Sequence, residues 1–263
     1  MKDNRFQKAV AAGRIPVGHM VWEFGTRGIA RLLATADLDF TVIDMEHTGF
    51  DHERVCDLIA WFGATDIAPF VRIPQPLYHF IARAMDAGAL GVMVPNVESA
   101  EQARSVRDAV KYAPLGKRGV GIGGAQNDYV MPDPVSYFER SNRNTTVICQ
   151  IESVHGVENA NDIAAVEGVD CLWVGHFDLT QSMGIPGQFH DERFLQALDI
   201  VVEAARKNGK TAGIQPGNMQ QAEEWIDRGF NVISWTSDYQ VYRRALQNEI
   251  GELRSKLAAG AEK

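Results

Sequence analysis

The stretch TVICQIESVHGVENANDIAAVEGVDCLWVG, residues 146–175, carries the pattern that decides the fold. It begins with the apolar run TVICQI, passes through the helix-like segment GVENANDIAAV, and reaches a second apolar run, DCLWVG. Two short apolar runs separated by an amphipathic segment are typical of parallel strands joined by a crossover helix. A carboxylate follows each run, Glu152 after the first and Asp178 after the second. Since burying a charge is costly, these two positions need a cation or a reaction to explain them.

The same strand–helix unit recurs along the whole chain. Its eight apolar runs are VGHMVW, FTVIDM, APFVRI, GVMVP, TVICQI, DCLWVG, TAGIQ and NVISW. Eight units in 263 residues predict an α/β protein with a (β/α)8 TIM barrel, and a doubly wound open sheet is the alternative. We expect a single barrel domain over residues 1–263, with one long loop at about 113–145 because that segment is rich in Gly and Pro.

The composition limits the classes of partner. The net charge of -8 argues against nucleic acid, because binding phosphates requires a basic surface. No run approaches the roughly 20 apolar residues of a membrane span, so no membrane partner is expected. The three cysteines, Cys56, Cys149 and Cys171, are far apart and odd in number, which favours a reducing cytoplasm over a disulfide framework.

Polar side chains stand at the ends of several predicted strands, where a barrel places its catalytic groups. Glu152 and Asp178 would end neighbouring strands, about 4.8 Å apart, so both carboxylates can reach one ion. Two carboxylates without a Cys–His set favour Mg²⁺ or Mn²⁺. The alternative is that both residues cap helices, although Glu is a poor N-cap residue. The remaining strand-end residues are Asp44, Glu46, His47, Arg72, Gln150 and Gln215.

Two of these residues suggest proton transfer and charge stabilisation. His47 follows Asp44 and Glu46 closely, and a histidine beside a carboxylate is a common general base, although a loop ion pair explains the pattern equally well. Arg72 would be costly to bury without an anion, so it suits a carboxylate or a developing oxyanion. No lysine falls at the carboxyl end of a predicted strand, which argues against Schiff-base chemistry.

Several stretches in order resemble a known family. They include VIDMEHTGFD, PFVRIP, AMDAGALGVMVPNVESAEQA, GKRGVG, CQIES and GVDCLWVGHFDLTQSMGIPGQF. These resemble the metal-dependent (class II) pyruvate aldolases of the HpcH/HpaI aldolase family, in the phosphoenolpyruvate/pyruvate superfamily. Among them are 2,4-dihydroxyhept-2-ene-1,7-dioate aldolase and 2-dehydro-3-deoxyglucarate aldolase. The resemblance extends from about residue 15 to about residue 245.

The resemblance implies a cofactor and a substrate site. Glu152 and Asp178 would bind a divalent cation, Mg²⁺ or Mn²⁺ with Co²⁺ as a third candidate, and no organic cofactor would be needed. Gln150, Asp178, Arg72 and the main chain at Phe177 would bind the keto acid.

It also implies catalytic roles. His47 would accept the proton, Asp44 would orient it, and Asp86 would raise its basicity across a subunit boundary. Arg72 would stabilise the transition state. Family members assemble as hexamers, trimers of dimers, with an exchanged C-terminal helix, which would give the segment QVYRRALQNEIGELRSKL a partner surface.

The implied reaction makes or cleaves a C–C bond between a pyruvate-type enolate and an aldehyde, with 2-keto-4-hydroxy acids as substrates. Two alternatives remain. One is a citrate-lyase-like or malyl-coenzyme A-like lyase on the same barrel, and the other is a non-catalytic keto-acid binder. His176 and Gln215 depart from the family pattern. We expect them near the aldehyde end of the pocket, with His176 supporting the metal ligands or lying in a loop more than acting as a fifth neighbour of the metal.

Overall fold

The computed structural model describes residues 1–261, and its centre is a closed barrel of eight parallel strands. Each strand pairs with the next along the chain, and the last returns to the first. The predicted barrel is therefore confirmed, and the open sheet is wrong. The strands are β1 Val17–Val21, β2 Phe40–Asp44, β3 Ala68–Arg72, β4 Gly91–Val94, β5 Thr146–Ile151, β6 Cys171–Val174, β7 Thr211–Ile214 and β8 Val232–Ser237.

Helices surround the barrel and return the chain from the carboxyl end of each strand to the amino end of the next. Short 3-10 turns lie at Ala34–Ala36 and Ala125–Asn127. The α-helices are α1 Arg5–Ala11, α2 Ile29–Leu33, α3 His52–Phe62, α4 Tyr78–Asp86, α5 Ala100–Val110, α6 Pro134–Asn144, α7 Val154–Glu158, α8 Ala160–Ala164, α9 His176–Ser182, α10 Glu192–Lys207, α11 Met219–Asp227 and α12 Asp238–Ala261. Among residues 1–261, no helix is both long and apolar enough to cross a membrane.

Large side chains fill the inside of the barrel. Met20, Phe40, Phe70 and Trp173 are all buried in this inner cluster, while a separate outer layer packs the strands against the helices. Because successive side chains of a strand point to opposite faces, one strand serves both layers. Gly213 is needed in the inner layer, since a Cβ there would overlap the Trp173 ring.

Helix α1 closes the amino end of the barrel, and the sequence patterns did not predict it. Its Phe6 is buried, with its ring centroid 5.3 Å from that of Phe40 and 5.3 Å from that of Phe70. Asn4 caps the helix by accepting the backbone N–H of Phe6 at 3.1 Å. The floor of the barrel therefore consists of residues that precede the first strand–helix unit.

The predicted long loop at 113–145 is partly helical, so that prediction was wrong for its second half. Helix α6 begins at Pro134, and the Asp133 carboxylate accepts the backbone N–H of Ser136 at 3.0 Å. An Asp cap followed by Pro at the first helical position is a standard helix start. The Pro read as a loop signal is thus the signal that begins the helix.

Candidate active site

A cavity of about 440 Å³ opens at the carboxyl ends of the strands. It brings together seven of the residues singled out from the sequence, and Glu152 is not among its lining residues. The seven are His47, Arg72, Gln150, His176, Phe177, Asp178 and Gln215. It is also lined by residues that the sequence patterns had not singled out, among them Trp22, Trp173, Tyr239 and Gln240. Trp22 directly follows β1, so its strand-end position was a signal for it.

Arg72 is buried and held in a fork by Asp44. Nε and Nη2 of Arg72 donate to Oδ1 and Oδ2 of Asp44 at 2.7 and 2.8 Å. The two residues are register partners on β2 and β3, at the carboxyl end of each strand. Nη1 lies 3.2 Å from the Glu46 carboxylate. Burial lowers the pKa of Arg72, but the hydrogen bonds and charges of Asp44 and Glu46 outweigh it and raise that pKa above its usual value.

Asp44 contacts the main chain of His47 and not its imidazole. Its carboxylate accepts the backbone N–H of Glu46 at 3.0 Å and that of His47 at 3.3 Å. Nε2 of His47 lies 3.6 Å from the carboxylate of Glu46, and the imidazole is half exposed. Asp44 therefore reaches His47 indirectly, through the backbone turn after β2 and through the side chains of Arg72 and Glu46.

Glu152 is a buried carboxylate directly after β5. Its Oε1 accepts the backbone N–H of Asn96 at 2.7 Å, and its Oε2 accepts the side-chain amide of Gln150. Burial raises the pKa of Glu152 to about 7, and the charges of Glu46 and Asp178 add to the rise. The backbone at Gly175 approaches so closely that a Cβ there would fall on the Glu152 carboxylate and 2.8 Å from Nε2 of Gln150.

Asp178 lies beside this carboxylate, on the neighbouring unit of the barrel. It is an exposed residue in the first turn of α9, which follows β6, and β6 pairs with β5. Its charge acts on both Glu152 and Glu46. Burial likewise raises the pKa of Glu46, although the charge of Arg72 opposes the rise.

These carboxylates fit a divalent cation. Arg72 forms ion pairs with Asp44 and Glu46 and none with Glu152. Among residues 1–261, Glu152 has no salt bridge to any basic side chain. Oε1 of Gln150 is buried and has no hydrogen-bond partner among the same residues. No cluster of three His, Cys, Asp or Glu suited to a metal occurs in that part of the chain. Two protein carboxylates with open positions are typical of Mg²⁺ sites, which keep water and substrate oxygens as ligands.

Asp86 is not brought to His47 within one chain. It is the last residue of α4, the helix that returns from the carboxyl end of β3 to the amino end of β4. Asp86 therefore lies at the face opposite the cavity. There its carboxylate pairs with the buried Arg118 at 2.5 Å.

His176 is packed among aromatic rings. Its ring centroid lies 4.8 Å from Phe177, 5.2 Å from Phe189 and 5.3 Å from Trp225. Burial lowers the pKa of His176 to about 4, so the ring is neutral near pH 7. His176 is the first residue of α9 and so does not lie in a loop, and its aromatic packing favours a supporting role over one beside a metal.

In (β/α)8 enzymes the catalytic groups lie at the carboxyl ends of the strands, and the cavity is at that end. The fold and the site thus define a barrel enzyme acting on a small molecule. Residues 20–245 match the family model described as HpcH/HpaI aldolase/citrate lyase, so the chain belongs to this family and is a carbon–carbon lyase of the aldolase type.

Individual relatives support this assignment. The chain is 33% identical to 5-keto-4-deoxy-D-glucarate aldolase of Enterobacter sp. (strain 638) over 246 residues, 93% of this chain and 94% of that one. The crystal structure of an HpcH/HpaI aldolase from Desulfitobacterium hafniense DCB-2 matches with a TM-score of 0.89 and 29% identity, over 94% of this chain and 96% of that one. The citrate synthase SbnG matches with a TM-score of 0.85 and 27% identity, over 95% and 97% of the two chains.

Proposed function

We propose that this chain is a metal-dependent aldolase that makes or cleaves the C–C bond between a pyruvate-type enolate and an aldehyde. Its substrates would be 2-keto-4-hydroxy acids. The observation that carries the proposal is the buried Glu152 carboxylate, which accepts the amide of the cavity-lining Gln150 and has its pKa raised to about 7 by burial and by the charges of Glu46 and Asp178. A carboxylate that lacks a basic partner in the described chain is suited to a cation, and the keto acid supplies further oxygen ligands.

Glu152 and Asp178 would hold the ion, which we propose to be Mg²⁺ or Mn²⁺, with Co²⁺ as a third candidate. When bound, such an ion acts as a Lewis acid that withdraws charge from a keto carbon. Gln150 lines the cavity and has an unpartnered amide oxygen, so it can orient a bound keto acid. The backbone N–H of Phe177 belongs to the first turn of α9, where amides lack an intrahelical partner, and it would donate to the carboxylate of the keto acid.

His47 is the proposed base. Its half-exposed ring lines the cavity, and a positioned imidazole near neutral pH is suited to removing a methyl proton. Arg72 is the proposed stabiliser of oxyanion charge, since Asp44 fixes its plane and its guanidinium lines the cavity. A preorganised donor of this kind costs no reorganisation during the reaction. No organic cofactor is required by these steps.

We also propose a homo-oligomer, a hexamer built as a trimer of dimers, in which Asp86 reaches the histidine of another copy and α12 is exchanged. Helix α12 supports this because it carries an exposed apolar stripe along its length. The stripe consists of Tyr242, Leu246, Ile250, Leu253 and Leu257. A row of five apolar side chains on one helix face is suited to packing against a second copy.

We also place the protein in the cytoplasm, because its three cysteines are free and a reducing compartment keeps thiols reduced.

The test is a pyruvate-release assay over a panel of 2-keto-4-hydroxy acids, with Mg²⁺ or Mn²⁺ and with a chelator. We expect release that depends on the metal and that is lost in Glu152→Ala and Asp178→Ala while the fold is kept. Full activity of the chelator-treated wild type would refute metal dependence.

A second candidate is a citrate-lyase-like or malyl-coenzyme A-like C–C lyase, which the similarity to the citrate synthase SbnG favours. Including citrate and a malyl thioester in the panel separates the two. Cleavage of either without cleavage of any aldol would favour the second candidate.

A further inference from the structure

The carboxylate of Asp238 binds three successive backbone amides of the loop that follows β1. It accepts the N–H of Trp22 at 3.1 Å, that of Glu23 at 3.1 Å and that of Phe24 at 2.8 Å. Asp238 is 4% exposed, so these bonds are shielded from water. A buried carboxylate needs several donors to satisfy its oxygens. Three of these backbone donors come from this one loop, and the backbone N–H of Tyr239 adds another at 2.7 Å.

Strand β8 is shaped to deliver this carboxylate to that loop. Between β1 and β8 the register shifts, so that Gly18 pairs with Ser234 but Met20 pairs with Ser237. One extra residue of β8 is thus accommodated, and Thr236 adopts a left-handed φ of 46°. A bulge redirects the residues after it, and Asp238 is the first residue after the strand.

The loop that Asp238 holds carries Trp22 to the two proposed catalytic side chains. The indole Nε1 donates to the backbone oxygen of His47 at 2.9 Å, and the two rings stack with centroids 6.1 Å apart. The guanidinium of Arg72 lies 5.8 Å from the Trp22 ring. Tyr239, adjacent to Asp238, packs edge-on against the same indole at 5.7 Å.

We propose that Asp238 is a positioning residue that holds Trp22 against His47 and Arg72. It acts through the backbone of residues 22–24 and does not touch the substrate. The inference rests on the proposed function for the roles of His47 and Arg72. The contact between Asp238 and the backbone of residues 22–24 can be measured without any enzymatic turnover.

The first measurement is hydrogen exchange of the backbone amides of residues 22–24, followed by mass spectrometry. In Asp238→Asn one acceptor oxygen becomes an amide that opposes the N–H groups, so protection of these amides should fall at least tenfold. The matched control is Asp133→Asn, since Asp133 also accepts a backbone N–H, in the exposed cap of α6. The control should leave residues 22–24 protected.

The second measurement is a double-mutant cycle on exchange of pyruvate methyl protons with deuterated water, with kcat and KM determined separately. Asp238→Asn and Trp22→Phe should each lower the exchange rate roughly tenfold, mainly in kcat, the scale of one lost buried hydrogen bond. Because both changes release the same contact with His47, the double variant should lose little more than either alone. A purely structural role for Asp238 predicts independent, multiplicative losses.

The outcomes test the positioning role of Asp238 separately from the proposed aldolase function. Unchanged amide protection in Asp238→Asn, or multiplicative losses in the cycle, overturns the proposal. If Asp238→Asn does not fold, Trp22→Phe alone decides, since a wild-type exchange rate in that variant also overturns it. If the wild type exchanges no methyl protons, the proposed function fails. Hydrogen exchange at the backbone amides of residues 22–24 still decides whether Asp238 holds this loop.

Discussion

Asp44 and Arg72 show how much a single pair of side chains depends on strand register. From the sequence, Asp44 stands beside His47, and Arg72 is an arginine that lacks an anion. In the structure the two face each other across β2 and β3, and each satisfies the other. The need of Arg72 for an anion was predictable from its strand, but its partner was not, because pairing between strands is set by the closed barrel.

Replacing Arg72 with lysine should reduce both stability and turnover. Lysine cannot form the two bonds to Asp44, so a fully buried carboxylate is left under-bonded, at a cost of about 1–3 kcal/mol in the free energy of unfolding. The loss of an oxyanion donor should lower kcat for aldol cleavage on the order of 10²-fold, more than it lowers methyl-proton exchange. Denaturant unfolding and the two rate assays measure these effects.

Arg193→Lys is the matched control, because Arg193 also forms a fork, with Asp191, but an exposed one. Its effect on the free energy of unfolding should be much smaller, because water screens an exposed ion pair. An equal loss of stability in Arg72→Lys and Arg193→Lys would show that burial does not strengthen the pair of Arg72 with Asp44. A change in KM alone would reduce Arg72 to a binding residue.

Glu152 should make the metal-free protein less stable as the pH rises. Its pKa is raised from 4.5 to about 7, so the folded state binds the proton more tightly than the unfolded state does. This stabilisation is complete below about pH 4.5 and is lost as the pH rises through about 7, up to about 3 kcal/mol. Thermal unfolding in a chelator between pH 5 and 8 measures it.

The comparison with Glu152→Gln isolates this one group, because that variant keeps every other titrating residue. Its unfolding temperature should fall less over the same range. Adding Mg²⁺ or Mn²⁺ should stabilise the wild type most at high pH, because the ion binds the ionised carboxylate. The same pH slope in both proteins would contradict the raised pKa.

At the scale of elements, the strands were predictable and several helices were not. Each strand is a short apolar run between turn residues, so its position was readable to within a residue or two. Helix α1 precedes the repeating unit, and its burial depends on Phe40 and Phe70, which no local pattern connects to it. Helix α6 lies in a segment whose Gly and Pro content concealed its start.

The turn between β6 and α9 should tolerate no side chain at Gly175. A Cβ would overlap the Glu152 carboxylate and displace the amide of Gln150, so Gly175→Ala should lower kcat by at least 10²-fold with a smaller loss of stability. The pyruvate-release assay and thermal unfolding measure the two effects. Gly28→Ala is the control, since a Cβ there meets nothing within 4 Å. Wild-type activity in Gly175→Ala would show that the carboxylate moves freely.

At the scale of the whole molecule, most of α12 is not packed against the rest of the chain. The chain pattern predicted this helix and its amphipathic character, while the number of copies and their arrangement depend on surfaces that one chain does not reveal. The apolar stripe on α12 is exposed from Tyr242 to Leu257. An isolated chain would keep that stripe in water, which is unfavourable.

Placing charge in the stripe should break the assembly. Leu246→Glu with Ile250→Glu should reduce the molar mass in solution, because a carboxylate cannot be buried in an apolar contact. Size-exclusion chromatography with light scattering measures the mass. Gln247→Glu with Asn248→Glu adds the same charge outside the stripe and should leave the mass unchanged. A wild type that is monomeric at the same concentration would contradict the proposed oligomer.

The contacts of Lys2 and Asn4 also limit the order in which parts of the chain can fold during synthesis. Lys2 donates to the backbone oxygen of Ile67 at 2.8 Å, and Asn4 donates to Oγ1 of Thr146 at 3.1 Å. Thr146 lies 142 residues after Asn4 in the chain, so this segment is synthesised well before its partners exist. Until the barrel closes, Phe6 has no core to pack into and remains an exposed apolar side chain on the nascent chain. A chaperone that shields exposed apolar segments would therefore be needed for longer by the segment around Phe6 than by the exposed α12.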